Sequence, residues 1–122
     1  MRCLIVDDSK VVRKITRGFL EPLGFTVDEA EDGTCAQTWI NEHGMPDLIM
    51  LDWNMPNMNG IDFLRWLRSV PEGGDTPNVI FCTTENSFDY IQNALMAGAN
   101  EYVMKPFDKE ILIGKLEILG LA

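Results

Sequence analysis

The chain of 122 residues is long enough for one sizeable core and too short for two; 46% apolar and 24% charged residues suit a soluble globular domain. Its net charge of -9 argues against nucleic acid or an anionic membrane as the main partner. No apolar run approaches the roughly 20 residues of a membrane span. The opening Met1-Arg2-Cys3-Leu4-Ile5-Val6-Asp7 turns acidic too early for a secretory signal, and Cys3, Cys35 and Cys82 follow no metal-ligand spacing. They read as free core thiols of a cytoplasmic protein.

Arg2 to Val6 is a short apolar run closed by Asp7-Asp8, a first buried strand. Ser9 suits a helix N-cap, and Val11, Ile15 and Phe19, with Val12 alongside, recur at helical spacing as the expected core face. Lys10, Arg13, Lys14 and Arg17 then point outward, a local +4 over residues 9–20 on an otherwise acidic body. Pro22 and Gly24 end this helix. Residues 25–30 form a strand near the sheet edge. Asp32-Gly33 reads as a turn and residues 34–41 as a short helix with Ala36, Trp39 and Ile40 apolar. His43, with no second ligand type beside it, reads as a solvated helix end.

Leu48 to Leu51 run apolar without alternation, as in a strand buried on both faces, and end on Asp52. The segment from Pro56 to Gly60 turns into a helix whose apolar surface is Ile61, Phe63, Leu64, Trp66 and Leu67, with Asp62, Arg65 and Arg68 outside. Residues 71–77 read as a flexible loop. A further buried strand runs from Asn78 to Thr83, ending in Thr83-Thr84-Glu85, and a helix from Ser87 to Ala97 stops at Gly98. The last strand, Glu101 to Met104, is closed by Lys105-Pro106, where the cis isomer is accessible, and residues 108–119 make a final helix. Five alternations of strand and helix mean a doubly wound parallel sheet with helices on both faces and right-handed crossovers.

The carboxyl ends of parallel strands share one edge, where open α/β sheets place their ligands. That edge gathers Asp7, Asp8, Asp52, Thr83 and Lys105. Three carboxylates so close require compensation, from Lys105 and a divalent cation; few, hard oxygen ligands favour Mg²⁺. A cation and a lysine flanking one carboxylate suit phosphoryl transfer to Asp52, with the charge that develops on the phosphoryl oxygens met by Lys105, the metal and the Thr83 hydroxyl.

On Asp7-Asp8, the run from Asp52 through Trp53, Asn54, Met55, Pro56, Asn57, Met58 and Asn59 to Gly60, Thr83, and Tyr102-Val103-Met104-Lys105-Pro106-Phe107, the chain resembles bacterial two-component response regulator receiver domains. Over its whole length, residues 1–122, it is most similar to the stand-alone, CheY-like chemotaxis type. The resemblance implies a flavodoxin-like sheet of order 2-1-3-4-5 with five helices. It implies Asp52 as phospho-acceptor, and Mg²⁺ held by Asp8, Asp52 and the backbone carbonyl of Asn54, with Asp7 acting through a metal water. Lys105 is the implied phosphoryl counter-ion, and Thr83 and Tyr102 the switch pair. Asn59 and Thr84 depart from the common pattern, Thr84 adding bulk near the path of Tyr102.

The implied partners are a histidine kinase or histidine phosphotransfer protein and an output target, with the chain monomeric, or dimeric once phosphorylated. Such a protein is no enzyme beyond its own phosphorylation and autodephosphorylation. With the sequence ending at the last helix, output is expected by protein–protein contact, on a face of Phe88, Ile91, Tyr102, Ile111 and Ile118. An alternative is a phosphorelay intermediate passing its phosphoryl group to a histidine phosphotransfer protein. An aspartyl-phosphate phosphatase wants a carboxylate where Asn54 stands, and a mononucleotide carrier wants a phosphate loop that Asp7-Asp8 would repel.

Overall fold

The computed structural model describes residues 1–84 and 87–122. Among these, five strands, β1 (Arg2–Val6), β2 (Thr26–Ala30), β3 (Leu48–Asp52), β4 (Asn78–Thr83) and β5 (Glu101–Met104), alternate with five helices. The helices are α1 (Lys10–Leu20), α2 (Gly33–His43), α3 (Gly60–Ser69), α4 (Phe88–Ala97) and α5 (Lys109–Ile118). All strands pair in parallel, in the expected order β2-β1-β3-β4-β5. Glu85, read from the sequence as part of the fourth strand's end, lies outside the described residues.

The inner strands β1, β3 and β4 are almost wholly apolar because both faces of the sheet are covered there, whereas edge strand β2 exposes Thr26, Asp28 and Glu29. Leu4, Val6, Ile49, Leu51, Val79 and Phe81 meet Ala36 and Ile40 of α2, Phe63, Leu64 and Leu67 of α3 and Ala94 of α4. On the other face Cys3, Ile5, Leu48, Met50, Ile80, Cys82 and Val103 meet Leu20 of α1 and Leu112 and Leu116 of α5. Each helix starts on a side chain that accepts a first-turn amide: Ser9, Asp32, Asn59, Ser87 and Asp108. Asp32 is therefore a cap rather than part of a free turn, and α2 is longer at both ends than residues 34–41.

Several outward and inward assignments change. Val11 and Ile15 are 67% and 51% exposed, and α1 turns Thr16 and Leu20 into the core instead. Arg68 is not a solvated residue: its guanidinium donates to the carbonyls of Gly98 and Gly74 and to Asn100 Oδ1. It thereby ties α3 to the end of α4 and to the 71–77 segment. That segment is held rather than loose, since Gly74 is buried and a Cβ there would stand 2.3 Å from the Leu67 carbonyl oxygen. Of the three thiols, Cys3 and Cys82 are buried, but Cys35 is exposed. Burial pushes the Cys82 thiol up to about 12, which leaves it protonated and inert.

Candidate functional site at the carboxyl edge of the sheet

Strand register builds the site. Val6 pairs with Leu51, so Asp7 follows β1 beside Asp52, the last residue of β3. Asp52 pairs with Cys82, which puts Thr83 one residue further along β4, and Thr83 pairs with Met104, so Lys105 leaves β5 just above it. The Lys105 amide donates to the Thr83 carbonyl at 2.8 Å. Four adjacent strands thus deliver four chosen side chains to one rim, and the Lys105–Pro106 bond is cis.

The Lys105 ammonium lies 2.7 Å from Asp7 Oδ2 and 2.9 Å from Asp52 Oδ1. Asp7 is fixed from the other side as well: its Oδ1 accepts the Ser9 amide, and its carbonyl accepts from Arg13. Asp7, Asp52 and Thr83 are buried, while Asp8 is exposed at the rim. Oxygens of Asp7, Asp8 and Asp52 all lie within 4.8 Å of one another. Burial raises the pKa of Asp52 above the ordinary carboxylate value; Lys105 opposes this and the charges of Asp7 and Asp8 add to it. Lys105 is itself held above its ordinary value: burial lowers it, but its bonds to the two carboxylates outweigh that.

Three carboxylates and one ammonium leave a net negative pocket of hard oxygen donors. That donor set fits a small divalent cation, which prefers few protein carboxylates and keeps several waters. Beside the pocket, an apolar groove of about 240 Å³ is lined by Val12, Ile15, Thr16, Thr84, Lys105, Pro106 and Phe107.

A family model of the response regulator receiver domain matches residues 3–117. The chain belongs to that family. It is 43% identical over 118 residues to chemotaxis protein CheY of Pseudomonas aeruginosa, a match covering 96% of this chain and 94% of that one. It is 38% identical over 120 residues to CheY1 of Helicobacter pylori, covering 98% and 96%. Among solved structures, Vibrio cholerae CheY4 superposes with a TM-score of 0.88 at 31% identity, covering 96% of both chains. A Francisella response regulator receiver domain superposes at 0.85 and 31% identity, covering 97% and 94%. This is a receiver domain of the CheY-type chemotaxis response regulators.

In this receiver domain Asn54 is exposed in the loop that follows β3, and Tyr102 is half-buried on β5. The Lys115 ammonium sits 4.5 Å from the centre of the Tyr102 ring and 3.0 Å from Glu101. On the expected output face, Phe88, Ile111 and Ile118 are exposed at 74%, 49% and 68%, and Ile91 is half-buried. The basic patch on α1 is smaller than its sequence: Arg13 and Arg17 both pair with Glu29, and Arg17 also with Glu21. Lys10 and Lys14 remain exposed. His43 is a helix end, stacked on Trp39 at 4.8 Å. Sequence reasoning missed what holds the loop after Asp52: its closing bond from the Gly60 amide to the Trp53 carbonyl, and the bond from Asn57 to Asp32. Gly60 alone carried a signal, for a Cβ there would stand 2.3 Å from the Asp52 carbonyl oxygen.

Proposed function

We propose that this receiver accepts a phosphoryl group on Asp52 from a phospho-histidine donor, with Mg²⁺, and signals by phosphorylation-dependent protein binding in chemotaxis. The observation that carries this reading is the Lys105 ammonium bridging Asp7 and Asp52, with Asp8 at the same rim. Asp8, Asp52 and the Asn54 carbonyl would hold Mg²⁺, with Asp7 reached through a metal water. When bound, the cation would neutralise charge developing on the phosphoryl oxygens.

The chain's own groups divide the remaining work. Lys105 engages one oxygen of Asp52 and leaves the other to attack phosphorus, as the phosphorus–nitrogen bond to the donor imidazole breaks. Once the phosphoryl group is on Asp52, the ammonium is within reach of its oxygens, and the Thr83 hydroxyl is the donor at the adjacent strand end. Asp7 keeps Lys105 aimed while that exchange occurs. Thr83 moving toward the phosphoryl group would let Tyr102 turn inward and reshape the face of Phe88, Ile91, Ile111 and Ile118, where a target preferring that state binds. The kinase or phosphotransfer protein would dock over the apolar groove beside Lys10 and Lys14, an arrangement proper to a cytoplasmic protein of this kind.

The test is uptake of label from acetyl phosphate and from a phospho-histidine donor, with and without EDTA. The parent protein should take up label only with Mg²⁺, and Asp52→Asn should take up none. Stable labelling of Asp52→Asn at the parent rate would overturn the assignment.

A further inference from the structure

The loop between Asp52 and α3 makes one contact that the chemistry above does not use. Asp32, the N-cap of α2, is buried at 4% exposure although it is a carboxylate. Its Oδ1 accepts the Cys35 amide at 2.8 Å, and its Oδ2 accepts the side-chain amide of Asn57, also at 2.8 Å and 25 residues away. Asn57 is the non-glycine residue with positive φ among the described residues, at 67°. The Met58 amide donates to the Pro56 carbonyl at 2.7 Å, so Asn57 is the centre of a γ-turn of the rarer, strained hand. Such a conformation persists where its surroundings over-determine it.

Those surroundings are the start of α2. A Cβ on Gly33 would come within 2.9 Å of Met58, so the loop lies directly on the first turn of that helix. Asn57, held by the Asp32 carboxylate, pins the tip of the loop, while the bond from Gly60 to Trp53 closes its base. Asn54 lies between base and tip. The short bonds to Asp32 also lower its carboxyl below the ordinary range, so it stays ionised at neutral pH.

Resting on the proposed Mg²⁺ site, we infer that Asp32 is a positioning residue for that site, acting through Asn57 to hold the Asn54 carbonyl in place. Asp32 touches neither metal nor phosphoryl group. Its role is to keep the 53–60 loop in the one conformation that presents a main-chain ligand beside Asp8 and Asp52, so the ion meets an ordered site.

The discriminating variant is Asp32→Ser. Serine caps helices as well as aspartate, so α2 keeps an acceptor for the Cys35 amide, but its single hydroxyl leaves the Asn57 NH₂ without the second carboxylate oxygen. Two measurements follow: Mg²⁺ affinity by titration calorimetry, and amide hydrogen exchange of residues 54–59 in metal-free protein. The expected results are Mg²⁺ affinity weaker by about tenfold, the low end for losing an outer partner of a metal site, and faster exchange in the loop. The exchanged pair Asp32→Asn with Asn57→Asp keeps the bond in the opposite sense at unchanged net charge, and should hold both quantities at the parent values. Asn57→Gly tolerates the positive φ, leaves Asp32 and its charge in place, and should reproduce the loss. Parent-like affinity and exchange in Asp32→Ser would overturn the inference, as would failure of the exchanged pair to match the parent in either. Should Asp32→Ser not fold, unchanged loop exchange in Asn57→Gly would overturn it equally. If the parent bound no Mg²⁺, the metal-site reading would fall, while metal-free exchange would still decide whether Asp32 holds the loop.

Discussion

Lys105→Met isolates the electrostatics of the pocket, because it removes the ammonium and keeps most of the aliphatic stem. The Lys105 side chain is 17% exposed and those of Asp7 and Asp52 only 5% and 9%. Breaking a buried ion pair by deleting one partner costs about 3–5 kcal/mol, since the other charge stays behind unpaired. Lys105 retains some water contact, so the lower figure applies, about 3 kcal/mol. At about 2.1 cal/mol/K of unfolding entropy per residue, a 122-residue chain then melts about 12 °C lower.

The pH dependence has a definite sign. Asp52 binds its proton more tightly in the folded chain than in the unfolded one, chiefly through burial. Metal-free stability therefore falls as pH rises from the ordinary carboxylate value of 3.8 through the folded value of Asp52. Removing Lys105 abolishes an opposing pull and extends that window upward. The stabilisation Lys105 provides has its own window: full below the ordinary lysine value of 10.5, it is lost only as pH rises through the still higher folded value. Calorimetric melting in EDTA at pH 5 and pH 8 should therefore show the larger deficit at pH 8. Mg²⁺ should raise the melting temperature of Lys105→Met more than that of the parent, because the cation enters a more negative pocket. A variant melting with the parent in EDTA at pH 8, and gaining no more from Mg²⁺, would refute the claim that Lys105 offsets the repulsion of the carboxylates.

Two further expectations concern surfaces. Lys10→Glu with Lys14→Glu, chosen because Arg13 and Arg17 are already paired with Glu29, should slow phosphoryl transfer from the kinase in a salt-sensitive way. Acetyl phosphate reactivity should be unchanged; equal loss of both reactions would mean that α1 itself is damaged. Ile91→Glu with Ile118→Glu should leave Asp52 phosphorylation intact and abolish binding of the output target, and normal target binding in the presence of beryllium fluoride would remove this face from consideration.

The pocket was legible because each of its parts closes an uninterrupted apolar run: Asp7 after Val6, Asp52 after Leu51, Thr83 after Cys82 and Lys105 after Met104. Parallel pairing does the rest, since it carries the ends of all such runs to one rim. What stayed hidden are contacts between segments with no shared periodicity. Asp32 and Asn57 are separated by 25 residues, and Arg68 reaches Gly98 across 30. A polar side chain finding a distant carbonyl leaves no pattern in the sequence, so Arg68 reads as an ordinary outward arginine. The pairing of Arg13 and Arg17 with Glu29 is hidden for the same reason, and it halves the free charge of a patch that the sequence shows as +4.

Helix α1 shows how periodicity itself can mislead, and the error is testable. Two stripes at i, i+4, i+8 run along it one residue apart, Val11–Ile15–Phe19 and Val12–Thr16–Leu20. The first is wholly apolar and the second is broken by a threonine, so pattern favours the first. The fold chooses the second, because Leu20 must fill the space against Phe25, Cys3 and Leu112 on its face of the sheet, and Thr16 is carried in with it. Val11 and Ile15 are left facing solvent, with Ile15 on the wall of the groove next to Lys105. Leu20→Ala should thus cost about 3 kcal/mol, the lower part of the range for emptying a fully buried leucine site. Ile15→Ala, read as core from the sequence, should shift stability by no more than about 0.5 kcal/mol. Urea unfolding of the two variants under one buffer compares them directly. Comparable losses would mean that the wholly apolar stripe is buried after all and that the groove beside Lys105 is closed.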